Sequence, residues 1–206
     1  MEHSKDLVKE KIVAGSLEMF MERGCKSVTM DAVAKQLGMS KRTIYEKFRN
    51  KAELLFECCQ LLVQKDAALV DSVLKSNSLG DFVRASEECI RVNGAWFERR
   101  CCFMSELNHY YNDIFVRHIE INNSQRREVL ESALQIFRDK GIVRSDTDLG
   151  IVTFFLNSVI QQILSGSLSI QGYTKRQMIV HFMRTYFRGI ATNRALEEMK
   201  QLSNTD

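Results

Sequence analysis

The sequence predicts an all-α protein of about nine helices, in which a three-helix head with a helix-turn-helix precedes a C-terminal helical bundle. Apolar residues recur at steps of three and four along nearly the whole chain, and no segment shows the alternation typical of a strand. The 206 residues include no proline, where ordinary usage would give about ten. Because proline interrupts helices, its absence favours long unbroken ones.

A helix-turn-helix is predicted around Gly38, behind a first helix that ends at Gly24. Gly38 supplies the positive φ that such a turn needs. Ala34, four residues earlier, suits a close helix crossing, and Ile44, six residues later, suits an apolar plug beneath the second helix. This spacing favours two short helices that pack on each other.

Capping residues point to the function of the second helix. Thr29 and Ser40 are preferred N-caps for the two helices. Lys41, Arg42 and Thr43 then occupy the first turn after Ser40, the part of a recognition helix that reaches base edges. A plain αα-hairpin inside a bundle uses the same glycine and caps, and it is the alternative.

The charge distribution favours DNA over that alternative. Residues 1–55 carry eleven Lys or Arg and eight Asp or Glu, whereas the remaining 151 residues carry eighteen of each. Between Lys35 and Lys51 there are six basic residues and a single acidic one, Glu46. A cationic segment of this kind is suited to neutralising DNA phosphates.

Caps and glycines divide the rest of the chain into further helices. Asn50 with Glu53 forms a capping-box pattern that opens the fourth helix. Ser78 with Asp81 opens a helix that runs to about Glu98, and a short helix follows from Cys102 to about Tyr110. A long helix runs from Asp113 to Lys140 and ends before Gly141. The last two helices are predicted over 146–165, opened by Ser145 with Asp148, and over 174–202, opened by Thr174 with Gln177.

The predicted domains are a DNA-binding domain over 1–50 and a dimerisation domain over 51–206, to which the family resemblance described below adds ligand binding. The helices over 146–165 and 174–202 have wide apolar stripes, so we expect a homodimer through a four-helix arrangement. A dimer would hold two heads about 34–36 Å apart on a palindromic operator. The alternative is that these two helices only bury each other.

Other classes of function lack their residues. We find no nucleophile with a base, no carboxylate pair, no metal-ligand spacing and no phosphate-binding glycine loop, so we expect no enzyme, metal or cofactor. No secretory signal and no apolar run of membrane length are found, so we expect a cytoplasmic protein without membrane contact.

The six cysteines are expected to be buried free thiols. A redox-sensing regulator is an alternative, because Cys101 and Cys102 follow two arginines. A helical adaptor that does not bind DNA is a further alternative.

The head resembles the N-terminal domain of the tetracycline-repressor (TetR) family over about 50 residues. The residues that carry the resemblance are Ile12-Val13, Met19-Phe20, Gly24, Val28 to Ala34, Gly38 to Tyr45, Phe48 and Lys51 to Leu55. Beyond them, the helix count, the length and Cys102-Phe103-Met104 are similar to that family. The resemblance implies a homodimeric regulator, usually a repressor, whose C-terminal domain binds a small molecule and dimerises through its last two helices.

The resemblance also implies DNA contacts at particular positions. They are Thr29, Ser40, Lys41, Thr43, Tyr45, Lys47 and Lys51. Arg42 departs from the family, which often has glycine there, and Glu46-Lys47 replaces an aromatic residue and histidine. We expect Lys41, Arg42 and Thr43 to read base edges, and Thr29, Tyr45, Lys47 and Lys51 to contact phosphates.

An effector pocket is predicted in the bundle that the resemblance implies. Its candidate lining residues offer aromatic faces and a few polar groups. They are Trp96, Phe97, Met104, His109, Tyr110, Tyr111, Phe154, Asn157 and Gln161. We expect a small, mostly apolar effector.

Overall fold

The computed structural model describes residues 2–74, Asp81 and residues 94–197. Over these residues it contains eight helices of seven residues or more and no strand, so the all-α fold class is confirmed. The helices are α1 (Glu2–Arg23), α2 (Met30–Leu37), α3 (Lys41–Lys47), α4 (Lys51–Leu74), α5 (Gly94–Tyr110), α6 (Asn112–Asp139), α7 (Leu149–Ser165) and α8 (Lys175–Ile190).

The described residues divide into two compact units. The head unit comprises those within Met1–Asp66 and Glu98–Glu120, and the C-terminal unit comprises those within Ala67–Phe97 and Ile121–Asp206. Helices α4, α5 and α6 therefore contribute residues to both units. The predicted domain boundary after residue 50 stays a prediction.

Apolar side chains from α1, α3, α4 and α5 form the core of the head unit. Phe20 of α1 is buried and stacks on Phe103 of α5, with ring centroids 6.5 Å apart. Three more side chains are fully buried: Ile44 of α3, Phe48 just after α3, and Leu54 of α4. The spacing of apolar residues predicted inner-face positions for Phe20, Ile44 and Leu54.

Glu106 of α5 holds the loop between α1 and α2. Its carboxylate accepts the backbone N–H of Cys25 at 2.6 Å. Gly24, which ends α1 with φ of 87°, lies against the same carboxylate, because an added Cβ would lie 2.5 Å from Glu106 Oε1. The loop is thus closed by a contact between residues that are far apart in sequence.

The region before Tyr110 corrects one sequence prediction. We expected a helix from Ser78 to about Glu98 and a separate one from Cys102 to about Tyr110, but α5 runs without a break from Gly94. No glycine or proline follows Gly94 within α5, and so nothing in its backbone interrupts the helix. Most of the predicted helix from Ser78 lies outside the described residues.

The helix predicted over 146–165 begins later than expected. Asp148, not Ser145, is the N-cap of α7, and its side chain accepts the N–H of Ile151. The preceding segment forms a turn closed by the N–H of Thr147 and the carbonyl of Arg144, which are 3.2 Å apart. This turn uses the residues that we expected in the first helical turn.

The helix predicted over 174–202 is also shorter. Thr174 and Gln177 form the expected capping box, but α8 ends at Ile190. Ala191 is extended and forms an isolated antiparallel bridge with Val143, so this stretch leaves the helical conformation. Residues 193–197 are helical again, and residues 198–202 lie outside the described residues.

Helices α7 and α8 pack on each other in the C-terminal unit. The hydroxyl of Tyr186 on α8 donates to the carbonyl of Val152 on α7 at 2.9 Å, and burial raises the pKa of Tyr186. None of the helices that the structure describes is long and apolar enough to cross a membrane.

We predict that Gly24→Ala lowers the free energy of unfolding more than Gly141→Ala does. Both glycines have positive φ, which costs an alanine about 1–2 kcal/mol. At Gly141 an added Cβ meets nothing within 4 Å, whereas at Gly24 it displaces the Glu106 carboxylate from the Cys25 amide. Urea denaturation of the two variants measures the difference, and equal losses would contradict the role of Glu106.

Candidate nucleic-acid interface

Helix α3 begins as the sequence predicts. The Ser40 side chain accepts the backbone N–H of Thr43 at 3.1 Å, and the two hydroxyls lie 2.8 Å apart. This cap satisfies an amide that has no partner within the helix. It leaves Lys41 and Arg42 on the first turn, where both side chains are exposed.

The turn before α3 closes around Gly38. Gly38 has φ of 62°, and its N–H donates to the carbonyl of Lys35, while the N–H of Met39 donates to the carbonyl of Ala34. This pair of bonds is the Schellman arrangement that ends a helix with a left-handed residue. Because the arrangement needs that backbone conformation, glycine at position 38 is explained.

Burial of one residue decides which face of α3 meets solvent. Ile44 is fully buried, whereas Tyr45, one residue further, is half exposed. Since neighbouring helical positions differ by about 100°, Arg42 and Tyr45 lie well away from the buried side of Ile44, and Lys41 in the first turn is exposed as well. The face of α3 that carries these three residues is called the α3 outer face below.

Two carboxylates pair with the cations of the α3 outer face. Lys41 forms an ion pair with Asp31 of α2. Arg42 donates from Nε to Glu46 Oε1 at 2.8 Å, and this carboxylate raises the pKa of Arg42. The two pairs are well exposed, so they orient the cations rather than stabilise the fold to any large extent.

A second group of cations lies beside aromatic rings of the head unit. Lys51 Nζ donates to the carbonyl of Lys26 at 3.3 Å and lies 5.5 Å from the ring centroid of Tyr111. Lys26 Nζ lies 5.0 Å from the ring centroid of Tyr110. Cation–π contacts at these distances hold the ammonium groups at the start of α4 and in the loop before α2.

The structure brings the predicted DNA-contacting residues into the head unit. Thr29 accepts the N–H of Ala32 as the cap of α2. The set includes both exposed and half-buried positions. Thr29, Ser40, Lys41, Arg42 and Tyr45 are exposed, and Thr43, Lys47 and Lys51 are half-buried. Their contacts with DNA stay predictions.

Sequence reasoning missed the roles of Lys26, Asp31 and Glu106. Asp31 lies ten residues before Lys41, and Glu106 lies 81 residues after Cys25. Neither separation is a helical repeat. No local pattern in the sequence could therefore have identified these partners.

The nine residues predicted to line an effector pocket do not fall in one compact unit. Trp96, Phe97, Phe154, Asn157 and Gln161 belong to the C-terminal unit, and Met104, His109, Tyr110 and Tyr111 belong to the head unit. Phe97, Met104, Asn157 and Gln161 are buried, whereas His109, Tyr110 and Phe154 are exposed. The pocket itself stays a prediction.

The cysteines follow the expectation of buried free thiols with one exception. Cys25, Cys58, Cys59 and Cys101 are free and buried, but Cys102 is exposed because it lies on the outer side of α5. Cys89 lies outside the described residues. Burial raises the pKa of Cys25 to about 12, with a further contribution from Glu106, and burial also raises the pKa of Cys58 and Cys59. These three thiols are therefore protonated at neutral pH.

Comparison with protein families places the helix-turn-helix. Residues 12–58 match the model described as bacterial regulatory proteins, tetR family. The chain has a TetR-family N-terminal domain. The resemblance predicted from the sequence is thus confirmed, and the matched residues include α2, α3 and the start of α4. A search of curated proteins found no match.

Solved structures of TetR-family regulators share the fold over most of the chain. A TetR regulatory protein from Rhodobacter sphaeroides has a TM-score of 0.63 at 20% identity, over 89% of this chain and 99% of that chain. A TetR-family regulator from Agrobacterium tumefaciens has a TM-score of 0.66 at 12% identity, over 91% and 100%. A structure described as a SmeT–triclosan complex has a TM-score of 0.70 at 15% identity, over 92% and 94%.

Together, the comparisons show a TetR-family N-terminal domain over residues 12–58 and a fold that the whole chain shares with solved TetR-family regulators. At identities of 20% or less, the structural similarity by itself establishes the fold. The family match covers the helix-turn-helix of the head unit, which includes the α3 outer face.

We predict that Cys102 is alkylated by iodoacetamide at pH 8 much faster than Cys25, Cys58 and Cys59. The reagent attacks thiolates, and burial keeps the latter three both protonated and shielded. Peptide mapping by mass spectrometry measures each rate, and the denatured protein serves as the control in which all four rates converge. Fast labelling of Cys58 or Cys59 in the folded protein would refute this assignment.

Proposed function

We propose that the protein is a ligand-responsive transcriptional repressor that binds a palindromic operator as a homodimer. The observation that carries the proposal is the α3 outer face, a cationic surface held outward by the buried Ile44. Helix α3 is about two turns long, which suits insertion into the major groove of B-form DNA. We propose no enzymatic activity, and we place the protein in the cytoplasm because its partner is the genome.

Arg42 is the residue we propose to read a base. Its bond to Glu46 uses the Nε–H, whereas a bidentate contact with guanine O6 and N7 uses the terminal Nη groups. Glu46 therefore restrains the guanidinium without occupying the groups that face a base edge. Lys41, held by Asp31, is proposed as a second reader beside it.

Phosphate contacts are proposed for the residues around the reading helix. Thr29 and Ser40 lie at helix N-termini, where backbone amides favour an anion. Tyr45, Lys47 and Lys51 extend the same surface toward the start of α4. Such contacts fix the position of the head and give binding its dependence on salt.

A homodimer is proposed from the exposed apolar side of α7. Ile151, Phe154 and Phe155 are 57%, 58% and 53% exposed, although each is large and apolar. The opposite side of α7 is buried, so packing within the chain leaves this patch uncovered among the described residues. A second copy that buries it would pair two heads, as a palindromic operator requires.

The effector acts in this proposal by favouring one separation of the two heads over another. A ligand shifts that balance only if it binds the DNA-incompetent arrangement more tightly than the competent one. The redox alternative has less support, because Cys101 is buried and only Cys102 is exposed among the two.

We predict that Arg42→Ala and Lys51→Ala weaken DNA binding in different ways. With a duplex selected by the wild-type protein from a random pool, Arg42→Ala should lose about 1–3 kcal/mol of discrimination at one base pair of each half-site. Lys51→Ala should weaken all duplexes alike and reduce the slope of log K against log salt by about one per head. Fluorescence anisotropy over a salt series measures both effects.

Lys140→Ala is the matched control for these variants, since Lys140 is an exposed lysine at the end of α6 in the C-terminal unit. It should leave affinity and salt slope unchanged. If the wild-type protein binds no duplex, the helical-adaptor alternative is favoured. If Arg42→Ala keeps full discrimination, Arg42 does not read a base.

We predict that Phe154→Asp converts the dimer to a monomer. A carboxylate in the centre of the apolar patch would lose its hydration on association, so we expect the dissociation constant to rise about 100-fold or more. Sedimentation equilibrium measures the change. Ile136→Asp is the control, because Ile136 is a similarly exposed apolar residue, on α6. An unchanged dimer in Phe154→Asp would show that α7 does not form the interface.

A further inference from the structure

Helix α7 carries a row of four buried polar side chains. Thr153, Asn157, Gln161 and Ser165 recur every four residues, so they lie along one stripe of the helix. Each is at most 5% exposed. Phe154 of the exposed patch lies about two turns before Gln161 on nearly the same side of α7, so the row differs from the patch of Ile151, Phe154 and Phe155 in its burial.

The two ends of the row are satisfied by the protein itself. The Thr153 hydroxyl lies 2.9 Å from the carbonyl of Leu149 and 3.2 Å from a carboxylate oxygen of Glu131. The Ser165 hydroxyl lies 3.2 Å from the carbonyl of Gln162 and 3.0 Å from the Ser167 hydroxyl. Buried hydroxyls with such partners are ordinary features of a helix.

Gln161 is different. Its Oε1 and Nε2 atoms are both buried, and neither has a hydrogen-bond partner among the residues that the structure describes. A buried amide without partners destabilises the fold, and an apolar residue of similar shape would avoid that cost. The described residues therefore leave the Gln161 amide without a hydrogen-bond partner, and a bound molecule could supply one.

The surroundings of Gln161 define the chemistry of that partner. Helix α7 contains no Asp, Glu, Lys, Arg or His, and the buried residues of α8, which packs on it, are all apolar. Two charged groups that hydrogen-bond to α7 lie toward its ends. Glu131 reaches Thr153, about 12 Å along the helix from Gln161, and the Lys175 ammonium donates to the Leu164 carbonyl at 3.1 Å.

We infer that Gln161 is the polar recognition group of the effector site, and that the effector is an uncharged, largely apolar molecule with a carboxamide-like group. A primary amide presents one acceptor and two N–H donors, so it is complemented by a neutral group that both donates and accepts. Asn157, one turn earlier and also buried, places a second amide on the same stripe. A carboxylate or ammonium ligand would lose its hydration here without a counter-charge.

This inference rests on the ligand-responsive part of the proposed function. It adds the residue that recognises the effector and the chemical class of the effector, neither of which follows from the fold or from the head unit. It also separates the predicted pocket residues, since Asn157 and Gln161 then belong to the effector site, while Tyr110 and Tyr111 hold cations of the head unit.

The test uses the full-length protein and four probes that share a benzene ring: benzamide, benzoate, benzylamine and ethylbenzene. The melting temperature is followed at increasing millimolar concentrations in the wild type, Gln161→Met and Gln162→Met. Gln162 is the matched control, because it is the next residue of α7 and is exposed. Methionine keeps the length of the side chain and removes its amide.

Benzamide should raise the melting temperature of the wild type and of Gln162→Met, with an apparent Kd at least tenfold weaker in Gln161→Met. Ethylbenzene should affect the wild type and Gln161→Met alike, and benzoate and benzylamine should have less effect than benzamide. Without any probe, Gln161→Met should be as stable as the wild type or more stable.

Three results would overturn the inference: benzamide stabilises Gln161→Met as well as the wild type, benzoate or benzylamine stabilises the wild type at least as well as benzamide, or benzamide has no effect. A lower melting temperature of unliganded Gln161→Met would overturn it too, because the amide would then have a structural partner. Duplex binding is measured on the same samples. Failure to bind DNA would refute the proposed function and leave the benzamide result standing, whereas normal DNA binding without a benzamide effect would refute only this inference.

Discussion

Burial of Ile44 is the constraint on which the DNA-facing surface depends. With this side chain fully enclosed, α3 has a single rotational setting on the head, and the exposed positions of its first turns are fixed. The left-handed Gly38 and the Ser40 cap then determine where α3 begins. If α3 began one residue earlier or later, its side chains would be rotated by about 100° relative to the core, and different residues would face the solvent.

The cations of this surface are organised rather than merely abundant. Asp31 holds Lys41, Glu46 holds Arg42, and Tyr111 lies beside Lys51. Each contact limits the conformations of a long side chain before DNA arrives. Restraint of this kind lowers the entropy that the side chain loses on binding, and it costs little because the partners are exposed.

Helix α7 illustrates how one helix can serve two purposes. Its exposed residues include the apolar Ile151, Phe154 and Phe155, which is unusual for a solvent-exposed surface. Its buried residues include a polar row that contains the unpartnered amide of Gln161. Each departs from the ordinary arrangement of apolar residues inside and polar residues outside, and departures of that kind are typical of binding surfaces.

The helical class, the helix-turn-helix and most of the caps could be predicted from the sequence. These features depend on residues within a few positions of each other, as with Ser40 and Thr43 or Thr174 and Gln177. The family match over residues 12–58 confirmed the TetR-family resemblance that these residues had indicated. Local rules were sufficient here because helix termini are local structures.

Features that depend on distant partners could not be predicted from the sequence and follow from the packing of the chain. The end of α8 at Ile190 follows from the bridge between Val143 and Ala191, and the loop at Cys25 is closed by Glu106. Gln161 is buried and Phe154 is exposed on the same uncharged helix, and this difference likewise depends on which part of the helix other elements cover. The physical reason is that a helical repeat specifies which residues share a face, whereas packing against the rest of the chain specifies which face is buried.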